Sequence, residues 1–348
     1  MISLEELQLA ARNHGLPLEA LRQAITPTGL HYLLIHYDIP FVDADSWTLE
    51  VDGAVERPLR LSLDDLRERE AAEHAVTMEC AGNGRALLDP HVVSQPWLRD
   101  AVGTARWRGT PLRSLLAEAG VAGNAVDVTF IGLDRGVEAE VEQAYARSIP
   151  LDEAMRDEVL LAYEMNGAPL LPQHGFPVRV VVPGWYGMTN VKWLTRVSVR
   201  TEPFDGYQQA RAYRLRRDDA DEGTPVQRMV PRSLLVPPGI PEFLTRVRTL
   251  RPGPCVLEGR AWSGHASIEA VEVSVDGGAT WQPAVLGGDD LGPWAWRGWT
   301  YDWQARPGAY RVGSRASDAA GNVQPLEPTW NVGGYANNAV QWVDVTVA

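Results

Sequence analysis

A single cysteine at the end of an apolar run is the residue best placed to do chemistry in this sequence. Cys80 follows residues 76–79, and a turn of Ala, Gly, Asn and Gly leads from it to Arg85. Glycine permits positive φ and a close approach of other groups to the backbone, and a nearby arginine favours thiolate over thiol. The pattern indicates a strand that ends by presenting its sulfur to a ligand. The alternative is that Cys80 is a small buried hydrophobic residue, as many lone cysteines are.

A second group of candidate residues surrounds an apolar segment further along the chain. His174 and Arg179 lie at the start of this segment, and Lys192 follows the glycine-rich turn at its end. Arginine binds phosphate with two donors, lysine binds it as a point charge, and turn amides add further donors. The spacing predicts a phosphate cradle, although no Walker or dinucleotide glycine pattern accompanies it. The alternative is that Arg179 and Lys192 are surface charges on a pair of strands.

These two segments, in this order, resemble the sulfite oxidase family of molybdopterin-dependent oxidoreductases. The Cys-Ala-Gly-Asn sequence that begins at Cys80 resembles one motif of the family, and residues 174–193 resemble a second. Residues 161–167, 259–264 and 273–281 also resemble family sequence. The resemblance therefore extends from about residue 30 to the end of the chain, and it rests on several motifs in the family's order.

The resemblance implies a molybdenum–molybdopterin cofactor whose metal is bound by the thiolate of Cys80. It implies that a set of polar side chains binds the pterin and its terminal phosphate, namely His36, Asp134, His174, Arg179 and Lys192. It also places Tyr213 near the equatorial oxygen of molybdenum and Arg85 in the wall of an anion pocket. The catalytic residues expected on this basis are Cys80, Tyr213 and Arg85.

Two positions depart from the pattern that the family uses to bind sulfite. Leu34 and Gly333 stand where the family has substrate arginines, and losing one charge-assisted pair removes about 1.5–3 kcal/mol of binding. The first hypothesis is therefore an oxidoreductase that transfers an oxygen atom to or from a small substrate other than sulfite. One alternative is a sulfite dehydrogenase with a rewired anion pocket, in which Arg211 or Arg214 substitutes, and another is a non-catalytic cofactor-binding protein.

Because the sequence has no Cys-x-x-Cys-His motif for attached haem, we expect the electrons to pass to or from a separate redox partner such as a cytochrome.

Capping signals and apolar periodicity predict the elements that position these residues. A helix is expected after Ser3, another over 62–69, and a third that has Thr110 as its cap, Pro111 in its first turn and Gly120 past its end. Strands are expected at 47–53, 126–133, 159–163 and 178–182. With the resemblance, these elements predict an α+β fold whose residues 1–230 form a mixed α/β molybdopterin-binding domain.

The character of the sequence changes after the prolines between positions 231 and 241. Val271, Val273 and Val275 alternate with polar residues ahead of an Asp-Gly turn, and eight of the 13 tryptophans lie between Trp262 and Trp342. Short strands of this kind predict an immunoglobulin-like β-sandwich over residues 231–348. The resemblance implies that this domain pairs two chains as a homodimer.

Composition limits the classes of partner. The formal net charge of −13 disfavours nucleic acid or an anionic membrane as the main partner. No apolar stretch approaches the length of a membrane span. Two cysteines make no disulfide framework and fit a reducing compartment, so we expect the cytoplasm, or the periplasm if a leader was removed. The remaining histidines show no spacing typical of metal ligands: His14, His31, His74, His91 and His265.

Overall fold

Strands make up most of the regular secondary structure of this chain. The computed structural model describes residues 2–288 and 290–348, and its α-helices are short: α1 Leu4–Arg12, α2 Leu63–Arg67, α3 Leu112–Ala119 and α4 Leu151–Ala154. Short 3₁₀ helices lie at Leu18–Arg22, Thr28–Leu30, Arg85–Leu87, Pro172–His174 and Gly187–Thr189, and a π-helical turn spans Gln208–Ala212. Within these described ranges, no helix is long and apolar enough to cross a membrane.

The helix starts follow the capping signals, with one exception. Ser3 caps α1 in a capping box with Glu6, and Ser62 caps α2. Gly120 ends α3 in the left-handed conformation, with φ 72°. Thr110 does not cap α3, because its hydroxyl instead donates to the carbonyl of Leu66 at 2.8 Å. A buried threonine hydroxyl needs a partner, and here that partner is the preceding helix.

Ten strands among the described residues form two sheets in the first part of the chain. One sheet has the order β2-β1-β10-β5-β6, in which only the β1–β10 pair is parallel. The other has the order β3-β4-β7-β8, and β9 also pairs with β7. The strands expected near 47, 126, 159 and 178 are β1, β5, β7 and β9. The strand bounds are β1 Leu49–Gly53, β2 Leu59–Leu61, β3 Ala72–Glu79, β4 Val102–Pro111, β5 Asp127–Glu138, β6 Val141–Pro150, β7 Leu160–Met165, β8 Ala168–Pro169, β9 Arg179–Val181 and β10 Leu194–Arg200.

The last part of the chain is a two-layer β-sandwich that follows a small ribbon of β11 and β12. One layer has the order β13-β16-β20-β19 and the other β14-β15-β22-β21-β17-β18. Trp299 and Trp303 of the first layer share a core with Val271, Val312 and Val345 of the second. The bounds are β11 Arg214–Leu215, β12 Thr224–Pro225, β13 Arg232–Leu235, β14 Ile240–Pro241, β15 Arg248–Leu250, β16 Gly253–Trp262, β17 Ile268–Ser274, β18 Gln282–Pro283, β19 Val285–Gly287, β20 Arg297–Ala305, β21 Gly308–Asp318 and β22 Gln341–Val347.

A separate apolar core joins the two parts of the chain. Leu16 and Tyr186 of the first part pack with Leu234, Trp262 and Trp296 of the sandwich region. Trp296 also donates from its indole nitrogen to the carbonyl of residue 24 at 2.8 Å. The sandwich therefore shares a core with the first part of the chain and is not a loosely attached module.

A buried ion pair lies at this junction. The Glu79 carboxylate at the end of β3 is 2% exposed and lies 2.8 Å from Nη1 of Arg232, which is equally buried. This contact is an ion pair without the alignment of a hydrogen bond. Two true hydrogen bonds complete the site: Trp262 Nε1 donates to Glu79 Oε2 at 2.8 Å, and Asn83 Nδ2 donates to Oε1 at 3.0 Å. Both charges depend on each other, because an unpaired buried charge is costly.

We predict that Arg232→Met destabilises the protein strongly. Removing one member of a buried pair costs about 3–5 kcal/mol, because the other charge stays buried without compensation. The matched control is Arg315→Met, which breaks the partly exposed pair with Glu272 and is expected to cost about 1 kcal/mol or less. Urea unfolding followed by circular dichroism measures both variants, and equal losses of stability would contradict the prediction.

Candidate functional site

Cys80 lies in the turn that directly follows β3. Its backbone N–H donates to the carbonyl of Ala101 at 2.9 Å, and its own carbonyl accepts from the N–H of Asn83 at 3.0 Å. Gly84 has φ 92°, in the region that favours glycine. A Cβ at Gly82 would lie 2.6 Å from the guanidinium of Arg85. Both glycines therefore allow the turn to close with Arg85 packed against it.

Burial, rather than Arg85, dominates the protonation of this cysteine. Burial raises the pKa of the Cys80 thiol, and the positive charge of Arg85 offsets this effect only in part. Arg85 therefore acts in the expected direction, because its charge favours the thiolate, but burial has the larger effect on the pKa of Cys80. A metal cation at the sulfur would reverse the balance, because a coordinated thiol is deprotonated.

The predicted cofactor-binding residues converge on one cavity, which contains about 610 Å³ of atom-free space. Residues from β3, β5 and β6, from the segment before β1 and from the turns around β9 form its walls. The lining residues are His31, Tyr32, Leu33, Leu34, His36, Met78, Cys80, Asp134, Tyr145, His174, Arg179, Gly187, Met188, Asn190, Val191 and Lys192. All six of the residues expected to bind the pterin or the metal therefore lie around the same space.

The two cations of this cavity have no acidic partner within ion-pair distance in the part of the chain that the structure describes. Arg179 is 6% exposed and donates to the carbonyls of His174 at 3.1 Å and Asn190 at 2.9 Å and to the sulfur of Met78 at 3.8 Å. Lys192 Nζ likewise donates to the carbonyls of Leu34 and Gln173. Burial, with a smaller effect of Arg179, lowers the pKa of Lys192 to about 7. The burial of Arg179 also contradicts the alternative that it is a surface charge. The two cations without acidic partners make the cavity suitable for an anion.

Several buried polar atoms at the cavity lack a hydrogen-bond partner. They are Nε2 of His31, Oδ1 of Asp134 and Nε of Arg179. Buried polar atoms in folded proteins are almost always satisfied. A bound group that carries both donors and acceptors, such as a pterin with a phosphate, would satisfy them. The residues present therefore fit that group.

His31 is a cavity residue that the sequence did not reveal. Its ring meets that of His174 edge-on, with 6.0 Å between the ring centroids. Burial lowers the pKa of His31 to about 4 and that of His174 to about 3, so both imidazoles are neutral at pH 7. The spacing of these histidines in the sequence does not indicate a shared site, because only the fold brings them together. Burial raises the pKa of Asp134 to about 6, against the opposing charge of Lys192.

Tyr213 and His36 form a hydrogen-bonded pair. His36 Nε2 lies 2.6 Å from the Tyr213 hydroxyl, and the His36 ring stacks on Tyr145 at 4.6 Å. Burial lowers the pKa of His36 to about 3 and raises the pKa of Tyr213 well above its usual value. Both groups are therefore neutral at pH 7, and the tautomer of His36 decides whether Nε2–H or the tyrosine O–H is the donor between them.

An aromatic ring packs against the guanidinium of Arg85. Its Nε donates to the carbonyl of Gly333 at 2.9 Å, and its guanidinium carbon lies 5.0 Å from the ring centroid of Tyr335. The Tyr335 ring also packs against Tyr213, with centroids 5.0 Å apart. A Cβ at Gly333 would lie 2.2 Å from the Tyr335 ring. Tyr335, which the sequence did not single out, therefore occupies the space that a side chain at position 333 would need.

An open cleft with about 1840 Å³ of atom-free space leads to this pair of tyrosines. His36, Tyr213, Gly333 and Tyr335 are among the residues that line it, and His36 lines the inner cavity as well. Arg211 also lines the cleft. Arg214 lines it too and donates to the carbonyls of residues 222 and 223. The charged segment after it forms the rim of the cleft.

Two protein families match most of the chain. The oxidoreductase molybdopterin binding domain matches residues 36–208, and the Mo-co oxidoreductase dimerisation domain matches residues 226–348.

Whole proteins with similar sequences come from animals and plants. The chain is 39% identical to the mitochondrial sulfite oxidase of Rattus norvegicus, over 95% of this chain and 63% of that protein. It is 34% identical to the NAD(P)H nitrate reductase of Hordeum vulgare, over 93% of this chain and 39% of that protein. The chain thus spans less than two thirds of the length of either relative.

A solved structure shares the fold along nearly the whole chain. The sulfane dehydrogenase SoxCD from Paracoccus pantotrophus superimposes with a TM-score of 0.83 at 29% identity, over 96% of this chain and 86% of that chain.

Proposed function

Because this chain belongs to the sulfite oxidase family of molybdopterin-dependent oxidoreductases, we propose that it is an enzyme that transfers an oxygen atom to or from a small substrate at molybdenum–molybdopterin. A separate redox partner, such as a cytochrome, takes or supplies the electrons. The main observation behind the proposal is the cavity beside Cys80. Its cations and its polar atoms without hydrogen-bond partners suit a ligand that has an anionic group and a heterocyclic ring.

Each part of the cavity suits one part of this cofactor. Cys80 binds the metal through its sulfur, and Arg179 and Lys192 bind the terminal phosphate. His36, Asp134 and His174 offer ring nitrogens and a carboxylate to the pterin. Arginine and lysine suit phosphate because they donate several charged hydrogen bonds. The match between these donors and the cofactor supports the assignment of all six residues.

When bound, the cofactor supplies oxygen-atom transfer and storage of two electrons. The protein's part is binding, orientation and exclusion of water. Tyr213, held by His36, directs its hydroxyl hydrogen toward the substrate. Arg85 lines neither the cavity nor the cleft, and it adds positive charge from behind Tyr335, where the Gly333 carbonyl and the Tyr335 ring fix its position. Because such fixed donors need no reorganisation during the reaction, they stabilise developing charge effectively.

The substrate is not sulfite under this proposal. Leu34 lines the inner cavity where the family has an arginine, and Tyr335 fills the space beside Gly333. The pocket is therefore less cationic and more aromatic than the family's sulfite site, so we expect it to bind a small dianion more weakly than that site does. A neutral or less charged substrate, such as an S- or N-oxide, fits it better. The alternatives remain a sulfite dehydrogenase with a rewired pocket and a non-catalytic protein that binds the cofactor.

The division of the chain is part of the same proposal. Residues 1–230 form the cofactor-binding domain, and residues 231–348 form an immunoglobulin-like sandwich. We place the protein in the cytoplasm, which its two unpaired cysteines support.

We predict that Cys80→Ser abolishes redox activity and leaves the fold intact. Serine removes the thiolate and changes the side-chain volume little. The control is Cys255→Ser, which alters a half-buried thiol in the sandwich and is expected to keep full activity. Turnover with an artificial electron acceptor, molybdenum content and circular dichroism measure the outcome. Activity that survives in Cys80→Ser would refute the ligand assignment, and substoichiometric molybdenum in wild-type protein from a molybdate-replete host would favour the non-catalytic alternative.

We predict that Leu34→Arg increases the use of sulfite. One restored charge-assisted contact is expected to lower the KM for sulfite about tenfold to a hundredfold. Leu34→Gln is the control, because it adds polarity without charge.

Gly333→Arg is expected to lower the KM for sulfite only together with Tyr335→Ala, which removes the ring from the space that the arginine needs. Steady-state assays measure these effects, and a micromolar KM for sulfite with rapid turnover in the wild type would establish the sulfite dehydrogenase alternative instead.

We also propose that residues 231–348 pair two chains, as the name of the matching domain suggests. Phe243 and Leu244 are 82% and 81% exposed in the segment between β14 and β15, where contact with a second chain would bury them. We predict that wild-type protein sediments as a dimer of the 38.3 kDa chain and that Phe243→Asp with Leu244→Asp sediments as a monomer. The control is Val137→Asp, which changes an exposed apolar side chain in the first part of the chain. A wild type that is monomeric at micromolar concentration would contradict the pairing.

A further inference from the structure

One buried cation at the substrate end of the site has no assigned role. Arg147 lies on β6 and is 1% exposed. It donates from Nη1 to the carbonyl of Gln208, while its Nε has no hydrogen-bond partner. Its guanidinium carbon lies 5.3 Å from the ring centroid of Tyr213. Arg147 lines neither the inner cavity nor the cleft, so it stands behind the tyrosine rather than beside the substrate.

This cation is not compensated by the rest of the described chain. Among the residues that the structure describes, no carboxylate lies within ion-pair distance of Arg147. Its nearest aromatic partner is the ring of Tyr213, whose hydroxyl is neutral at pH 7 because burial raises its pKa. Burying an uncompensated charge costs several kcal/mol, and a cation–π contact returns only about 0.5–2 kcal/mol. Uncompensated buried charges of this kind are concentrated at functional sites.

The contacts of Arg147 connect it to the position of Tyr213. Gln208 begins the π-helical turn Gln208–Ala212, and Tyr213 follows that turn directly. Single π-helical turns are frequent at functional sites and need outside contacts to hold their geometry. The bond from Arg147 to the Gln208 carbonyl supplies such a contact. The same side chain therefore anchors the turn at its first residue and contacts the tyrosine at its end.

We propose that Arg147 is a positioning residue that acts through Tyr213: it anchors the π-helical turn at Gln208, and its buried charge polarises the Tyr213 hydroxyl as a donor to an oxygen atom of the substrate. This inference rests on the proposed function. It explains how a pocket that lacks arginines at positions 34 and 333 keeps positive potential where the substrate oxygen binds. His36 then donates from Nε2 to the Tyr213 oxygen, which leaves the hydroxyl hydrogen for the substrate.

The test measures binding of sulfate to molybdenum-loaded protein by isothermal titration calorimetry at pH 7 and low ionic strength. Sulfate is a suitable probe because its charge is constant near neutral pH. The variants are Arg147→Met, Arg147→Lys, Tyr213→Phe and the double variant Arg147→Met with Tyr213→Phe. The matched control is Arg200→Met, because Arg200 also has an unpartnered buried Nε and lies over an aromatic ring, that of Phe204 at 5.4 Å.

We expect Arg147→Met to weaken sulfate binding about tenfold, the size of one lost charge-assisted contact. Arg147→Lys keeps the charge and is expected to stay within about threefold of the wild type. In the Tyr213→Phe background, Arg147→Met is expected to weaken binding by less than about threefold, because residues that act together are not additive. Arg200→Met is expected to leave sulfate binding unchanged.

Three results would overturn the inference while the proposed function stands: loaded wild type that does not bind sulfate, equal losses in Arg147→Lys and Arg147→Met, or additive effects of the Arg147 and Tyr213 changes. Wild-type protein that does not take up molybdenum would overturn the proposed function, and the inference with it.

Discussion

The position of the reactive sulfur depends on a buried carboxylate beside it. Glu79 is 2% exposed and is held by Arg232 and Trp262 from the sandwich region and by Asn83 from its own turn. A carboxylate at this depth is tolerated only with such partners. Because Cys80 is the next residue, the contacts that fix Glu79 also hold the end of β3, from which the turn at Cys80 begins. Contacts from the sandwich therefore help to place the backbone that carries the thiol.

The cavity beside Cys80 differs from the Glu79 site, because its positively charged side chains have no acidic partners among the described residues. At one end, Lys192 donates to carbonyls, and Arg179 donates to carbonyls and to the sulfur of Met78. Arg147 at the other end has an aromatic ring and one carbonyl as partners. Such arrangements lower the stability of the folded chain, and proteins retain them where function requires them. Under the proposed function, the cofactor phosphate supplies the missing negative charge at the first end, and the substrate oxygen supplies it at the second.

Local signals in the sequence were sufficient for several of the elements and for the turn at Cys80. Capping at Ser3 and Ser62 depends on neighbours within one helical turn, and glycine at position 84 indicates its own backbone conformation. Thr110 was misassigned because its hydroxyl has a partner 44 residues away in sequence. The resemblance, rather than periodicity, brought His36 and Asp134 to the cavity, because no local pattern links them to Cys80.

The residues that the sequence did not reveal are those whose role arises from packing. His31 is adjacent to the cavity only after β4 and the segment before β1 come together, where its ring lies against Gly103. Tyr335 and Arg147 lie on different strands or loops far from Tyr213 in sequence, and both meet its ring in the folded chain. A buried arginine cannot be distinguished from an exposed one by residue type alone. Burial and the absence of an acidic neighbour reveal its role, and both are properties of the tertiary structure.

The turn that carries Cys80 is fastened by residues near the carboxyl end of the chain. Asn337 donates from its side chain to the carbonyl of Gly84 across 253 positions, and Ala336 donates to the carbonyl of Ala81. The turn therefore reaches its final form only after residues 336 and 337 have been synthesised and have packed against it.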